Sequence, residues 1–149
     1  MSIDVKLSQE QYGEKNETNF YNILKQNGLT NIIRTEKYTP YDYYFKLNNM
    51  NIYIELKTRC IKKEAFDTTI LAVNKVNFFN NDINKRNKIF YAIFGFITET
   101  NNMEYYYIKY DKELFNTYND KKLIYNKYHY EIPITDLKEI SKLYDELGT

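Results

Sequence analysis

The chain has no tryptophan, one cysteine, one histidine, two prolines and four glycines among 149 residues. Each scarcity removes a class of protein. A lone cysteine, Cys60, cannot build an internal disulfide framework and fits a reducing compartment, where a small buried or neutral thiol is expected. A lone histidine, His129, excludes zinc sites that need two histidines and the His-Glu-x-x-His protease arrangement. A Ser/His/Asp triad would have to use that same residue, and no glycine-flanked nucleophile elbow accompanies it. His129 stands in Tyr128-His129-Tyr130-Glu131, which reads as a strand, so its expected role is structural. The missing glycines also mean no Gly-rich phosphate cradle, which argues against NTP hydrolysis and dinucleotide binding. The most apolar run, Ile89 to Ile97, is too short to span a membrane, and the polar N-terminus is not a signal peptide. An excess of one charge is absent too, with 21 basic against 20 acidic residues and a formal charge of +1. Any contact with nucleic acid must therefore come from a local patch. The expectation is a soluble, intracellular protein, in cytoplasm or nucleus.

What is present is a chain of one-domain length, residues 1–149, with an ordinary hydrophobic share of 43%. Seventeen tyrosines, with many Asn, Lys and Ile residues, fit an AT-rich coding genome such as that of a virus, mobile element or AT-rich microbe.

Periodicity predicts a helix from about Ser8 to Asn27, with Phe20, Ile23, Leu24 and Asn27 at helical spacing and Gly28 as its stop. Asn31 to Tyr38 reads as a first strand. Asp42 to Leu47 and Ile52 to Thr58 alternate as a hairpin, with residues 48–51 as the turn. Residues from Ile70 to Asn84 read as a helix, with Val73, Val76, Asn77 and Phe79 or Asn80 along one side. Lys88 to Thr98 is nearly continuous in apolar residues, the pattern of a strand buried on both faces. Glu104 to Tyr110 and Tyr128 to Ile134 read as further strands. Thr135 is a candidate N-cap for a last helix in which Leu137, Ile140, Tyr144 and Leu147 share a face, ended by Gly148. The predicted class is α/β: helix, three strands, helix, strand, with a mixed central sheet flanked by helices and strand and helix additions after it.

Acid-x-Lys triplets occur four times: Asp4-Val5-Lys6, Glu55-Leu56-Lys57, Asp120-Lys121-Lys122 and Asp136-Leu137-Lys138. Three sit in a terminus, a polar loop and the first turn of a predicted helix. Only Glu55-Leu56-Lys57 lies in a strand whose alternate residues, Ile52, Ile54 and Leu56, are apolar. Tyr53, Glu55 and Lys57 then point together to the opposite face.

If the turn sets Leu47 opposite Ile52, Tyr44 faces Glu55 and Asp42 faces Lys57. Asp42 and Glu55 become diagonal neighbours about 7–8 Å apart at the backbone, a gap that two carboxylates can bridge through one ion. A slip of one residue would send Asp42 to the other face. Mg²⁺ takes hard oxygen ligands and keeps several waters, so Asp42, Glu55 and a backbone carbonyl, that of Leu56, suffice beside a phosphate oxygen. Mn²⁺ is a substitute. The metal acidifies a bound water and offsets charge on phosphorus, and Lys57 can orient that water or stabilise the added charge.

Pro40-Tyr41-Asp42 followed by Glu55-Leu56-Lys57 resembles the motif of the PD-(D/E)xK nuclease superfamily, which includes restriction endonucleases and archaeal Holliday junction resolvases. Tyr41, between the proline and the acid, departs from the pattern by one residue. The superfamily's core of helix, three strands, helix and strand matches the order read from Ser8 to Thr98, about two-thirds of the chain. The resemblance implies a restriction endonuclease-like fold and a Mg²⁺-dependent DNA endonuclease, whether of resolvase, restriction or repair type. It implies Asp42 and Glu55 as metal ligands and Lys57 as the residue that positions the nucleophile. It also implies an acid on the first helix, for which Glu17 is the candidate and Glu14 the competitor, and a basic or amide residue on the following helix, for which Lys75 stands against a plainly solvated lysine.

Two basic clusters flank that second helix, Arg59, Lys62 and Lys63 before it and Lys85, Arg86 and Lys88 after it. They either grip phosphates of a DNA strand or are ordinary solvated side chains. Tyrosines 38, 41, 43 and 44, and 105 to 107, either stack on unpaired bases or pack on strands. A domain of this size has a limited footprint on DNA, so a homodimer cutting two strands is expected. The rivals are a nuclease-fold module that binds DNA or protein without cutting, and an α/β interaction domain in which Asp42 and Lys57 form only a cross-strand ion pair.

Overall fold

Residues 9–36, 39–82 and 86–148 are described by a computed structural model of the chain, with side chains from residue 12 onward. Helix α1 (Gln9–Gln26) leads to three strands, β1 (Ile33–Arg34), β2 (Tyr43–Leu47) and β3 (Met50–Thr58). A further strand, β4 (Thr68–Ala72), precedes helix α2 (Val73–Asn81) and strand β5 (Lys88–Ile97). Then come β6 (Met103–Lys109), α3 (Lys112–Phe115), β7 (Lys122–Ile124), β8 (Lys127–Pro133), β9 (Lys138–Glu139) and α4 (Ile140–Leu147). The expected order of helix, three strands, helix and strand is present, with β4 interposed.

The main sheet has six strands in the order β1-β2-β3-β5-β6-β9, and β4-β8-β7 form a second, smaller sheet. β3 and β5 pair in parallel while the neighbouring pairs run antiparallel, so the main sheet is mixed. Both central strands are buried along most of their length, as the apolar run in β5 predicts. One face of the sheet carries Tyr43, Phe45, Ile52, Ile54 and Ile93 against Phe20 and Leu24 of α1 and Leu143 and Leu147 of α4. The other carries Tyr53, Phe90 and Phe94 against Leu71, Val76, Phe79 and Ile132. Helices therefore flank the sheet on both faces. Among the described residues, no helix is long and apolar enough to cross a membrane.

Several boundaries differ from the sequence reading for physical reasons. Gly28 does end α1: its φ of 98° lets the Leu29 N–H reach back to the Leu24 carbonyl at 3.1 Å. The β2–β3 turn is two residues, not four, because Asn48 and Asn49 both take positive φ (49° and 67°), the geometry of the tightest hairpins. Ile70 to Ala72, read as the start of a helix, belong instead to strand Thr68–Ala72, paired with β8 from Thr68↔Pro133 to Ala72↔His129. Thr135 is not an N-cap. It lies in a 3-10 turn, after which Lys138 and Glu139 add a short strand to β6, and the last helix begins at Ile140. Leu137 consequently packs in the cluster opposite the one that holds Leu143 and Leu147. Gly148 caps that helix with φ of 74°.

Candidate active site

The shorter turn moves the hairpin register by two residues. Leu47 faces Met50, Tyr44 faces Tyr53 and Tyr43 faces Ile54. Asp42 therefore does not lie opposite Lys57, as expected from sequence, but level with Ile54 to Leu56. Its N–H donates to the Ile54 carbonyl at 2.9 Å, and its Oδ2 accepts from the Leu56 N–H at 2.7 Å. A slip of two residues preserves the face on which side chains lie, whereas a slip of one reverses it. The altered register thus brings the two acids closer without separating them.

Glu55 is the buried centre of this arrangement, with 3% of its surface exposed. Lys57 Nζ lies 3.3 Å from Glu55 Oε1, and Lys75 Nζ lies 3.4 Å from Glu55 Oε2. Burial, and secondarily the charge of Asp42, push the Glu55 carboxyl up to about 7, while the two lysines pull it back. Its Oε2 is fully covered and makes no well-aligned hydrogen bond, its one cationic neighbour among the described residues being Lys75 at 3.4 Å. A covered carboxylate oxygen with hydrogen-bonding capacity to spare is uncommon in native proteins and leaves room for a further ligand.

Glu17 approaches from α1. Burial raises its pKa first, followed by the charge of Asp42 and a hydrogen bond between the two carboxyls, with Arg34 acting in the opposite sense. Arg34 Nη2 stands 3.4 Å from Glu17 Oε2. The Tyr43 hydroxyl donates to the Glu17 carbonyl at 2.5 Å, and Asn16 Nδ2 donates to Thr58 Oγ1 at 3.0 Å. These bonds pin α1 to both strands of the hairpin. Glu14, the alternative acid on this helix, is exposed.

Asp42 accordingly couples to an acid on either side, Glu17 and Glu55. Lys57 and Lys75 stand beside Glu55, and Arg34 stands beside Glu17. Among the described residues, no three His, Cys, Asp or Glu side chains converge as a ready-made metal cage.

Lys75 is not a solvated lysine. Beyond its contact with Glu55, it donates to the Pro40 carbonyl at 2.9 Å. Arg34 carried no signal in sequence, because its role depends on a helix packing across β1. The remaining basic residues do not form one patch. Arg59 is largely covered and donates to the Ile70 carbonyl at 2.8 Å, and burial lowers its pKa. Lys62 reaches Glu99 at 3.4 Å, and Lys63 lies 4.3 Å over the Tyr106 ring. Arg86 is exposed, with its carbonyl accepting from Asn51. Lys88 closes the end of α2 by donating to the Phe79 and Asp82 carbonyls. Lys85 and Tyr38 lie outside the described residues. Tyr41, Tyr43 and Tyr107 are buried, so these aromatics serve packing. Cys60 is exposed, not buried, with Sγ 3.5 Å from the Tyr12 hydroxyl.

The chain matches no protein-family model and no curated protein. Among solved structures it is similar to a nuclease from a fusselovirus, at 17% identity and a TM-score of 0.48, covering 96% of this chain and 92% of that one. At this level the likeness assigns neither family nor activity; a functional conclusion has to come from the residues themselves.

Proposed function

We propose that the protein is a divalent-metal-dependent nuclease that hydrolyses phosphodiester bonds of DNA, with Asp42, Glu55 and Lys57 as its centre. The observation that carries this reading is the buried Glu55 carboxylate, with a second acid beside it, a lysine on each side and one oxygen that makes no hydrogen bond. Lys57, Lys75 and Arg34 offset the acids gathered around Asp42. Glu55 is still pushed up by burial and by Asp42, the environment that a bound cation would relieve.

The donor set suits a hard cation. Asp42 and Glu55 would hold Mg²⁺ or Mn²⁺, with the Leu56 carbonyl, water and a phosphate oxygen completing its shell. When bound, the ion would supply an acidified water and neutralise charge at phosphorus. Lys57, 36% exposed in its side chain, is the cation open to solvent and to a substrate phosphate. It orients the attacking water and stabilises the added negative charge. Lys75, more enclosed, holds the Pro40 carbonyl and Glu55 together and so fixes the loop that bears Asp42. Glu17, whose carboxyl is pushed up by burial and by the charge of Asp42, would accept from water held beside the cation. A homodimer would present two such centres to two strands.

The test is incubation of pure protein with labelled linear, nicked, flapped and four-way DNA in Mg²⁺, in Mn²⁺ and in chelator. Cleavage by the parent, lost in Glu55→Gln, in Lys57→Ala and in chelator, is the expected result. Equal activity in all three proteins, or none in the parent on any substrate, would reject the enzyme reading.

A further inference from the structure

The hairpin formed by β7 and β8 lies outside the acid-lysine centre, yet carries the most exposed of the large hydrophobic side chains among the described residues. Tyr125 is 95% exposed and adopts φ of 50° at the turn. Two-residue turns of this kind favour Asn, Asp or Gly, and a bulky residue at positive φ is strained. Its neighbour Asn126, at 62°, is the residue type that the turn prefers. A strained aromatic ring that packs on nothing within the protein gains nothing for the fold.

The rest of the hairpin repeats the pattern. Leu123 is 58% exposed and Tyr128 53%. Lys121, Lys122 and Lys127 are all exposed, and the segment from Lys121 to Tyr128 holds no acidic residue. Lys121 lies 5.2 Å over the Tyr128 ring, so charge and aromatic surface share one face. Phe66, 64% exposed, stands with Lys122 and Ile124 around a neighbouring cleft of about 670 Å³, which Arg59, Asp67 and Glu131 also line.

The hairpin is also joined to the helix that bears Lys75. β8 pairs with β4, which leads directly into α2 and hence to Lys75. Lys127 and Tyr128 line a smaller cleft with Val73, Asn74 and Asn77 of the same helix.

We infer that the β7–β8 hairpin is a nucleic-acid-gripping wing, in which Lys122 and Lys127 hold phosphates and Tyr125 and Tyr128 stack on unpaired bases. Lysine next to an exposed ring is the combination that single strands recognise, because every base offers a π face and every nucleotide a charge. A protein partner would be served by the apolar residues alone; Lys121 pairs with Asp120 at 3.9 Å, but Lys122 and Lys127 carry no ion pair among the described residues and favour a polyanion. The inference rests on the nuclease reading and narrows its substrate to DNA with unpaired nucleotides: flaps, single strands or opened junctions.

The test is fluorescence anisotropy in chelator, using parent protein and fluorescent single-stranded, flapped and blunt duplex DNA over a salt series. Tyr125→Ala should weaken single-strand and flap binding roughly tenfold and leave the duplex nearly unchanged, with Tyr125→Trp retaining affinity. Lys122→Gln with Lys127→Gln should flatten the salt slope on single strands by about 0.7 per lysine. Unchanged melting temperatures would show that the fold is intact, since every substituted side chain is exposed. Parental affinity and salt slope in all variants, equal losses on every DNA form, or no DNA bound by the parent would overturn the wing. If the parent cleaves DNA and the hairpin variants behave as parent, the wing fails and the nuclease stands. If DNA binds through the hairpin but is cleaved on no substrate, the wing stands and the nuclease fails.

Discussion

Lys75 on α2 lies 3.4 Å from Glu55 Oε2 on β3 while donating to the Pro40 carbonyl at 2.9 Å. One ammonium group thus joins the buried acid to the loop that carries Asp42.

Removing that ammonium should change how the site titrates before it changes the fold. Lys75 is one of the two charges that lower the Glu55 pKa against burial and Asp42. Lys75→Met should therefore shift the acid limb of the cleavage rate to higher pH, with Lys75→Arg close to parent. A pH–rate profile at saturating DNA checks this; an unmoved limb would show that Glu55 is not the group being titrated.

Glu55 should also set a stability gradient in metal-free solution. Its folded pKa of about 7 lies above the reference value of 4.5. Below the lower value both states hold the proton and nothing is lost. As pH rises towards the upper one, the unfolded chain releases its proton first and the folded state is progressively disfavoured. The full loss above pH 7 is on the order of a few kcal/mol. Glu55→Gln should consequently melt higher than parent in alkaline chelator buffer, and close to parent near pH 4.5. Added Mg²⁺ should raise the parent's melting temperature and leave the variant's unchanged.

Lys57→Ala should separate binding from turnover. Metal binding by Asp42 and Glu55 needs no lysine, so titration calorimetry with Mn²⁺ should stay near parent. Turnover should fall by about a hundredfold or more, the usual loss when a group that stabilises developing charge is removed.

Gly95 tests the packing of β5 against β6. A Cβ built there would come within 3.0 Å of both Met103 Sδ and the Tyr105 ring. Gly95→Ala should cost about 1–3 kcal/mol, seen as a lower denaturant midpoint, even though alanine is otherwise the better strand residue.

Local patterns carried much of this structure. The apolar run gave β5, Gly28 the end of α1, and alternation in β3 the common face of Glu55 and Lys57. Where sequence reading failed, the deciding partner was far along the chain. Thr68–Ala72 carries apolar residues that continue the helical spacing of α2, and only pairing with β8 makes it a strand. Lys75 looked like any surface lysine because Pro40 and Glu55, which enclose it, belong to other elements. The register error had a local origin: the asparagines at 48 and 49 accept left-handed φ, so the turn is tighter than four polar residues suggest. Because the shift was even, Asp42 stays close enough to Glu55 for its charge to push that carboxyl up.

The parallel pairing of β3 with β5 orders events in time. The β2–β3 hairpin closes through a two-residue turn, so Asp42 and Glu55 meet through contacts close in sequence. Lys75 joins them only when the long crossover through β4 and α2 has folded back, a non-local step that forms slowly. Refolding should accordingly pass through a stage in which the acids are paired and Lys75 is still absent. Rate measurements on β2–β3 variants and on Lys75→Met would read this as early and late contributions respectively. Divalent cation present during refolding should accelerate that early stage by holding Asp42 and Glu55 together before Lys75 arrives.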